Sequence, residues 1–440
     1  MTESDSPVQE TTPAHPWKSW VAIGGAVGLF LLIRYGLPLG EPPNGFTADQ
    51  VRIGLAILAL VAVLWLTEAL PLAVTALLVP LLAAATHTLE AKTSFHGFAH
   101  PLIFLFLGGF GIAAAMSRQG LDRWLAGHIL RLGRGRFYPT SIALFGVAAG
   151  LSMWISNTAT TALLLPIALG LLNHSREKMP AEQARRVSVF LLLGLAYAAS
   201  VGGMGTLIGS PPNAIAAAEL EIDFVAWMAF GLPAVAVLFP CLVILLWAME
   251  RPGRVAGFAT QSEPQPFHRA QLKTLVVFAL AVGGWLASRP LSHWLGIDSG
   301  FDAMVAIGAV VLLTVLRAVS WSDIQRTTDW GVLLLFGGGI TLSRVLDQSG
   351  ASLFLAQQLQ SLVADWSVFW VVAMVVLFVL FLTELSSNTA SAALLVPIFA
   401  TVAIDLGMPE ARLVLPLALA ASCAFMLPVA TPPNAIVFGS

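Results

Sequence analysis

The feature that most constrains this chain is a pair of short polar motifs that interrupt apolar segments, and each motif occurs twice. Ser-Asn-Thr lies at 156–158 and again at 387–389, and Pro-Pro-Asn-Ala-Ile lies at 211–215 and again at 432–436. The two motifs recur in the same order, and the separation between the copies is nearly the same for both motifs. Two motifs that repeat in one order at nearly one offset indicate an internal duplication.

The composition indicates the environment in which these motifs lie. Hydrophobic residues make up 57% of the 440 residues and charged residues only 10%, with a mean hydropathy of +0.84. Apolar stretches of roughly 18 residues or more recur along most of the chain, each long enough to cross a bilayer as a helix. The sequence therefore predicts an all-α polytopic membrane protein. A net charge of −2 and the lack of a basic stripe argue against a nucleic-acid partner.

The apolar segments, taken in order, predict about ten transmembrane helices plus two hairpins. The segments 139–172 and 367–403 carry Ser-Asn-Thr near the middle and are expected to enter the membrane and return as re-entrant hairpins. The segments 187–229 and 411–440 are expected to be transmembrane helices broken at Pro-Pro-Asn. This threading leaves 16 of the 22 Lys and Arg residues on one side. The positive-inside rule makes that side, and the N-terminus, cytoplasmic in a cell (inner) membrane. The second half is then an inverted copy of the first.

The same pattern predicts how the chain is divided. The predicted parts are a disordered tail at 1–18, a first helix and outer loop at 19–49, one repeat at 50–250, a cytoplasmic linker at 251–271, and a second repeat at 272–440. The repeat offset places a partner for the helix at 232–249 near position 453. We therefore expect the second repeat to lack its last helix in this chain.

The four breaks predict a buried polar site, because unpaired backbone in a bilayer is tolerated only where protein or water surrounds it. Each break also starts a new half-helix. The expected caps are Asn157-Thr158, Asn388-Thr389, Ser210-Pro211 and Thr431-Pro432. Free N–H groups and the partial positive charge at helix N-termini favour an anion. The sequence thus predicts an anion site without Arg or Lys.

The half-helices that enter the hairpin breaks predict two cation sites. Their hydroxyl pairs are four residues apart, so each pair is expected on one face of a last turn whose carbonyls are unsatisfied. The expected oxygen donors are the hydroxyls of Ser152, Ser156, Thr383 and Ser387, the amides of Asn157 and Asn388, and carbonyls around Gly205 and Ala430. Such all-oxygen cages suit a hard cation such as Na⁺. Two such cations would neutralise a doubly charged anion, which favours coupled symport.

These motifs, together with WLTEALPLAVTALL at 65–78 and DWGVLLLFGGG at 329–339, resemble those of the divalent anion:sodium symporter family of dicarboxylate, citrate and sulfate carriers. The resemblance covers about residues 50 to 440. It implies a homodimer in which a scaffold domain holds a moving transport domain with both hairpins, as in an elevator. It implies substrate contacts at Ser156, Asn157, Thr158, Ser387, Asn388, Thr389, Thr431 and Pro432. It implies one sodium at Ser152, Asn157 and Gly205, and another at Thr383, Ser386, Asn388 and Ala430.

The sequence therefore predicts a secondary transporter that carries a small divalent anion inward with sodium, most readily a C4-dicarboxylate such as succinate, malate or fumarate. Sodium-independent exchange, sulfate or citrate as the substrate, and an anion channel remain open alternatives. An enzyme would need a nucleophile, base or metal set, and the sequence presents none; no organic cofactor is expected. Glu384 could couple protons, but we favour a structural hydrogen-bonding role. The Gly-rich runs at 108–111 and 337–339 predict close helix packing.

Overall fold

The computed structural model describes residues 16–131, 133–176, 179–255, 267–297, 299–363 and 366–440. Throughout these ranges the regular structure is helical, without a β-strand. Nine of the helices in them are long and apolar enough to cross a membrane. The chain is therefore an all-helical polytopic membrane protein, as its composition predicted.

The helices follow one another with short connections, and one 3₁₀ turn lies at His96–Ala99. In order they are α1 (Pro16–Gly36), α2 (Ala48–Thr67), α3 (Leu72–Ala85), α4 (Ala91–Ser94), α5 (Pro101–Arg118), α6 (Leu121–Arg131), α7 (Phe137–Ser152), α8 (Asn157–Arg176), α9 (Ala181–Gly203), α10 (Pro211–Glu219), α11 (Phe224–Glu250), α12 (Arg269–Leu286), α13 (Ser288–Leu295), α14 (Phe301–Val315), α15 (Trp321–Thr327), α16 (Trp330–Ser349), α17 (Ala351–Val363), α18 (Val368–Leu385), α19 (Asn388–Asp405), α20 (Ala411–Ala421) and α21 (Pro432–Phe438).

Several bounds differ from the predicted ones. Helix α1 already begins at Pro16, within the tail predicted at 1–18, and residues 1–15 lie outside the described residues. Part of the predicted linker, 256–266, lies outside them as well. The nine long helices include both α18 and α19, which form the arms of the second predicted hairpin. The short helices α6 and α17 lie between the predicted apolar segments.

One predicted helix is interrupted where the sequence suggested continuity. The helix broken at the first Pro-Pro-Asn was expected to run to residue 229, but α10 ends at Glu219. Glu221 has a φ of 50°, which continues no right-handed helix. The Asp223 carboxylate then accepts a hydrogen bond from the Ala226 N–H at 2.6 Å and caps α11. A local cap therefore divides the apolar run, and α11 extends over 27 residues.

The two halves contain the same series of helices and exchange parts. The series from α5 to α10 matches the series from α16 to α21 in order. Helix α10 of the first half packs on α19 and α20 of the second, whereas α21 packs on α8 and α9. Likewise α14 packs on α5, and α3 packs on α16. Because each half covers equivalent elements of the other, the two series form one interlocked body.

Glycines allow the closest of these crossings. A Cβ at Gly108 would lie 2.4 Å from the Ala306 Cβ, and a Cβ at Gly338 would lie 2.6 Å from the Ala76 Cβ. These two glycines occupy matching places in the repeat, because Gly108 lies two positions after Phe106 and Gly338 lies two positions after Phe336. The close packing expected from the Gly-rich runs is confirmed.

Candidate substrate and cation sites

The first Ser-Asn-Thr lies in the break between α7 and α8. Helix α7 ends at Ser152, and α8 begins at Asn157. The Ser156 Oγ accepts a hydrogen bond from the Ala159 N–H at 3.2 Å, so Ser156 caps α8. Ser156 is exposed, and Asn157 and Thr158 are half-buried. The beginning of α8 thus presents polar groups at the break.

The second Ser-Asn-Thr has the same arrangement. Ser387 precedes α19, and its Oγ accepts a hydrogen bond from the Ala390 N–H at 3.5 Å. Asn388 is half-buried as the first residue of α19, and Thr389 is only 9% exposed.

Two predictions about these caps were wrong by one residue. The caps are the serines, and not the Asn-Thr pairs, because a short hydroxyl at the N-cap reaches the N–H two or three residues on. For the same reason Ser156 and Ser387 belong to the following helices. They do not complete the last turns that contain Ser152 and Thr383.

The Pro-Pro-Asn breaks place proline at the start of a helix, as predicted. Ser210 and Thr431 occupy the N-cap positions of α10 and α21. The Thr431 Oγ1 accepts from the Asn434 N–H at 3.3 Å and is buried, whereas Pro432 is exposed. The Ser210 Oγ instead lies 3.0 Å from the Ser422 Oγ, and both residues are buried. This hydroxyl pair joins a break of one half to a break of the other.

An oxygen cage surrounds the Asn157 side chain. Its Oδ1 accepts a hydrogen bond from the Ser152 Oγ and lies 3.2 Å from the carbonyl oxygens of Ala199 and Gly209. An amide oxygen that faces a hydroxyl and two carbonyls suits a hard cation. With no ion between them, the rotated amide satisfies these groups better, because its NH₂ then donates to the Ser152 hydroxyl and to both carbonyls. With the amide oxygen turned toward them, the same hydroxyl and carbonyls form an all-oxygen set of the kind that binds sodium.

Two carbonyls that were not predicted lie beside the Asn157 amide. Gly205 is buried, and its carbonyl oxygen lies 3.0 Å from the position of a Cβ on Gly231 in α11. The carbonyls beside Asn157 belong to Ala199 and Gly209. Gly209 is the repeat counterpart of Ala430, because each directly precedes the N-cap of its Pro-Pro-Asn helix. The repeat applied to Ala430 could have identified Gly209 from the sequence.

Oxygen atoms also lie close together at the second break. The Thr383 Oγ1, in a fully buried residue, is 2.7 Å from the Asn388 Oδ1 and 3.0 Å from the Ala421 carbonyl oxygen. The Ser386 Oγ donates to the Leu382 carbonyl at 3.0 Å and lies 2.8 Å from the Ser391 Oγ. Ala430 is 9% exposed, directly before the cap of α21. Thr383 and Asn388 were predicted to lie together, and Ala421 was not expected.

Each hairpin tip is fastened to the break loop of its own half. The Glu384 carboxylate, in a residue 3% exposed, accepts the backbone N–H groups of Met426 at 2.9 Å and Leu427 at 2.8 Å. Glu384 therefore makes hydrogen bonds of the structural kind that was expected. In the first half, Met153 holds the matching position, and its backbone carbonyl accepts from the Thr206 Oγ1. One tip is thus fastened by a carboxylate and the other by a hydroxyl.

The sequence matches known transporters over most of its length. A family described as Citrate transporter matches residues 62–410. An uncharacterised transporter of Haemophilus influenzae is 47% identical over 94% of this chain and 88% of its own. One of Methanocaldococcus jannaschii is 39% identical, over 90% of this chain and 88% of its own. The sodium-dependent dicarboxylate transporter SdcS of Staphylococcus saprophyticus is 36% identical, over 95% and 86%.

Proposed function

The chain belongs to the citrate transporter family, which comprises transporters and not enzymes, and from this premise we propose that it is a sodium-coupled symporter of a small divalent anion. Its motifs place it in the divalent anion:sodium symporter group. The proposed substrate is a C4-dicarboxylate such as succinate, malate or fumarate. The similarity to a relative named a sodium-dependent dicarboxylate transporter supports both the substrate class and the coupling ion.

The single observation that carries the proposal is the pair of oxygen cages, each beside the start of a capped helix. The Asn157 Oδ1 lies among a hydroxyl and two carbonyls, and the Asn388 Oδ1 lies 2.7 Å from the Thr383 Oγ1. Oxygen donors of this kind bind hard cations, whereas helix N-termini bind anions. A cation on each side of the substrate would neutralise its two carboxylates, so that substrate and sodium bind together.

The proposed ligands follow from this arrangement. The substrate would contact Ser156, Asn157, Thr158, Ser387, Asn388, Thr389, Thr431 and Pro432. One sodium would bind Ser152, Asn157 and Gly205, to which the Gly209 and Ala199 carbonyls are added, and the other would bind Thr383, Ser386, Asn388 and Ala430. Each of the two asparagines thus lies between the substrate and a cation, which couples their binding.

We also propose the transport mechanism. The two series of helices would be inverted repeats in an inner membrane, with the N-terminus in the cytoplasm and the hairpins as re-entrant elements. The reciprocal packing of α10 and α21 on the opposite half supports a two-fold relation between the repeats. Substrate would cross by elevator movement of a transport domain against a scaffold within a homodimer.

Uptake of labelled succinate into proteoliposomes tests the proposal. We expect concentrative uptake with an inward Na⁺ gradient, but not with K⁺, and inhibition by unlabelled fumarate. Uptake that ignores the cation but needs internal dicarboxylate would establish an exchanger instead. Flux that never concentrates the substrate would indicate a channel. Strong citrate or sulfate flux without succinate uptake would show that citrate or sulfate, and not a C4-dicarboxylate, is the substrate.

The two asparagines provide the site-specific test. Asn157→Ala and Asn388→Ala should each abolish succinate binding and sodium binding together, because each amide serves both ligands. Asn44→Ala, in an exposed turn, is the matched control and should transport normally. Wild-type transport by either hairpin variant would contradict the proposed site.

A further inference from the structure

The asparagines of the two Pro-Pro-Asn phrases make the same unusual bridge in both halves. The Asn213 Nδ2 donates to the carbonyls of Gly203 at 2.9 Å and Thr206 at 2.7 Å. The Asn434 Nδ2 donates to the carbonyls of Ala424 at 3.0 Å and Leu427 at 3.1 Å. In each half the acceptors lie ten and seven residues before the asparagine. Each amide therefore closes the loop between two half-helices.

Both bridges are buried and leave an acceptor unsatisfied. Asn213 is 0% exposed and Asn434 is 1% exposed. The Oδ1 atoms of both side chains are buried without a hydrogen-bond partner among the described residues. A buried unpaired acceptor costs stability. Since the same atom is unpaired in both copies, the side chain's role lies in what its Nδ2 holds.

The two carbonyls that accept from the Asn213 Nδ2 lie next to Gly209, whose own carbonyl is part of the first oxygen cage. The Gly203 carbonyl oxygen lies 2.4 Å from the position of a Cβ on Gly209. The Gly209 carbonyl in turn lies 3.2 Å from the Asn157 Oδ1. The second carbonyl held by Asn213 belongs to Thr206, whose Oγ1 accepts from the Gly209 N–H at 3.2 Å. Both carbonyls that accept from the Asn213 Nδ2 therefore belong to residues that contact Gly209.

The second bridge fixes Ala430 more directly. The Leu427 carbonyl accepts from the Asn434 Nδ2 at 3.1 Å and also from the Ala430 N–H at 3.2 Å. The peptide of Ala430 therefore depends on the carbonyl that Asn434 holds. Ala430 is the repeat counterpart of Gly209, so each asparagine fixes the same position of its own loop.

We propose that Asn213 and Asn434 are positioning residues for the two sodium cages, each aiming one loop carbonyl, at Gly209 and at Ala430, toward the hairpin asparagine of its half. This inference rests on the proposed sodium coupling. Neither asparagine contacts the ion. Each sets the affinity of its own cage through the loop, so that changes at the two positions act on separate sites.

The test replaces each bridging amide with an apolar side chain of nearly the same shape, because a carboxylate would add a negative charge that itself attracts sodium. In Asn213→Leu and in Asn434→Leu, the sodium concentration that gives half-maximal thermal stabilisation of the purified protein should rise about tenfold, with choline as the balancing cation. Half-maximal sodium for succinate uptake should rise in parallel, while the maximal rate at saturating sodium is retained. Asn44→Leu, the same change in an exposed turn, should leave both midpoints unaltered.

A purely structural role gives a different pattern. It would lower the unfolding temperature at every sodium concentration and leave the sodium midpoint unchanged, which would overturn the inference alone. If the Leu variants do not fold, Asn213→Ser and Asn434→Ser retain one donor and are measured in their place against the same criterion. If sodium stabilises the wild type no more than choline does, the proposed coupling itself is overturned.

Discussion

At the scale of single residues, the two cages differ in how closely the backbone approaches the hairpin. The first half has Gly203 and Gly209 where the second half has Ala424 and Ala430. A Cβ on Gly203 would lie 2.4 Å from the Asn157 Oδ1 and 2.8 Å from the Gly209 carbonyl oxygen. The first cage is therefore built around a contact that only glycine permits.

This close contact predicts the effect of Gly203→Ala, which makes the first half resemble the second. The added methyl group must displace the Asn157 amide, and overpacking of this kind costs on the order of 1–3 kcal/mol. We expect half-maximal sodium for succinate uptake to rise about tenfold, which corresponds to about 1.4 kcal/mol. Gly146→Ala is the control, since a Cβ there meets no atom within 4 Å. Unchanged sodium dependence in Gly203→Ala would show that Asn157 does not bind the ion from this position.

The sequence predicted the side-chain oxygens that lie together at the two hairpin breaks better than it predicted the backbone carbonyls beside them. Ser152, Asn157, Thr383 and Asn388 could be found because they repeat within short motifs. Ala199 and Ala421 could not, because they contribute backbone carbonyls, which any residue type supplies. Their contact depends on how α9 and α20 pack against the hairpins, which is a property of the tertiary structure and not of the local pattern.

At the scale of the elements, the fastening of the second hairpin to its loop predicts a role for the Glu384 carboxylate. In Glu384→Gln the side-chain NH₂ would face one of the two N–H donors of Met426 and Leu427, which leaves a buried donor unpaired at a cost of about 1–3 kcal/mol. We expect a lower unfolding temperature and a higher sodium concentration for half-maximal stabilisation, because the released loop carries Ala430. Differential scanning fluorimetry in sodium and choline would measure both effects.

The contrasting result would identify a different role. A Glu384→Gln variant that keeps its stability and sodium affinity, but no longer responds to a proton gradient, would make Glu384 a coupling carboxylate. Thr206→Val provides the comparison in the first half, because it removes the hydroxyl that binds the Met153 carbonyl without changing a charge. The Thr206→Val variant should also need more sodium for half-maximal stabilisation.

The order of the helices could be predicted from the sequence, whereas the packing of helices of one half on helices of the other could not. The repeat offsets indicated that α7 with α8 corresponds to α18 with α19, and the structure has those helices in that order. No local pattern indicated that α10 packs on α19 and α20, or that the Ser210 and Ser422 hydroxyls pair at 3.0 Å. Such contacts join opposite halves of the chain, so their partners cannot be read from either segment alone.

At the scale of the whole molecule, the two hairpin tips lie in unlike surroundings. The Trp154 ring stacks on Trp285 of α12, with a centroid distance of 6.2 Å and an interplanar angle of 10°, and meets the Phe278 ring edge-on at 4.9 Å. Leu385, which holds the same place before the second Ser-Asn-Thr, is 76% exposed. Equivalent positions of a duplicated carrier thus occupy opposite environments in one conformation.

Alternating access in carriers made of repeats moves one repeat or bundle against the other, and we expect the two halves to exchange their arrangements as it does so. Trp154 is then expected to leave its aromatic cluster as Leu385 becomes covered. Trp154→Cys and Leu385→Cys, each made in a background with Cys241 and Cys423 replaced, would report this through the rate of maleimide labelling. Sodium with succinate should change the two rates in opposite directions, whereas Asn44→Cys in its exposed turn should label at a constant rate. Rates that rise or fall together would contradict an exchange between halves, since both tips would then respond to one common opening of the site.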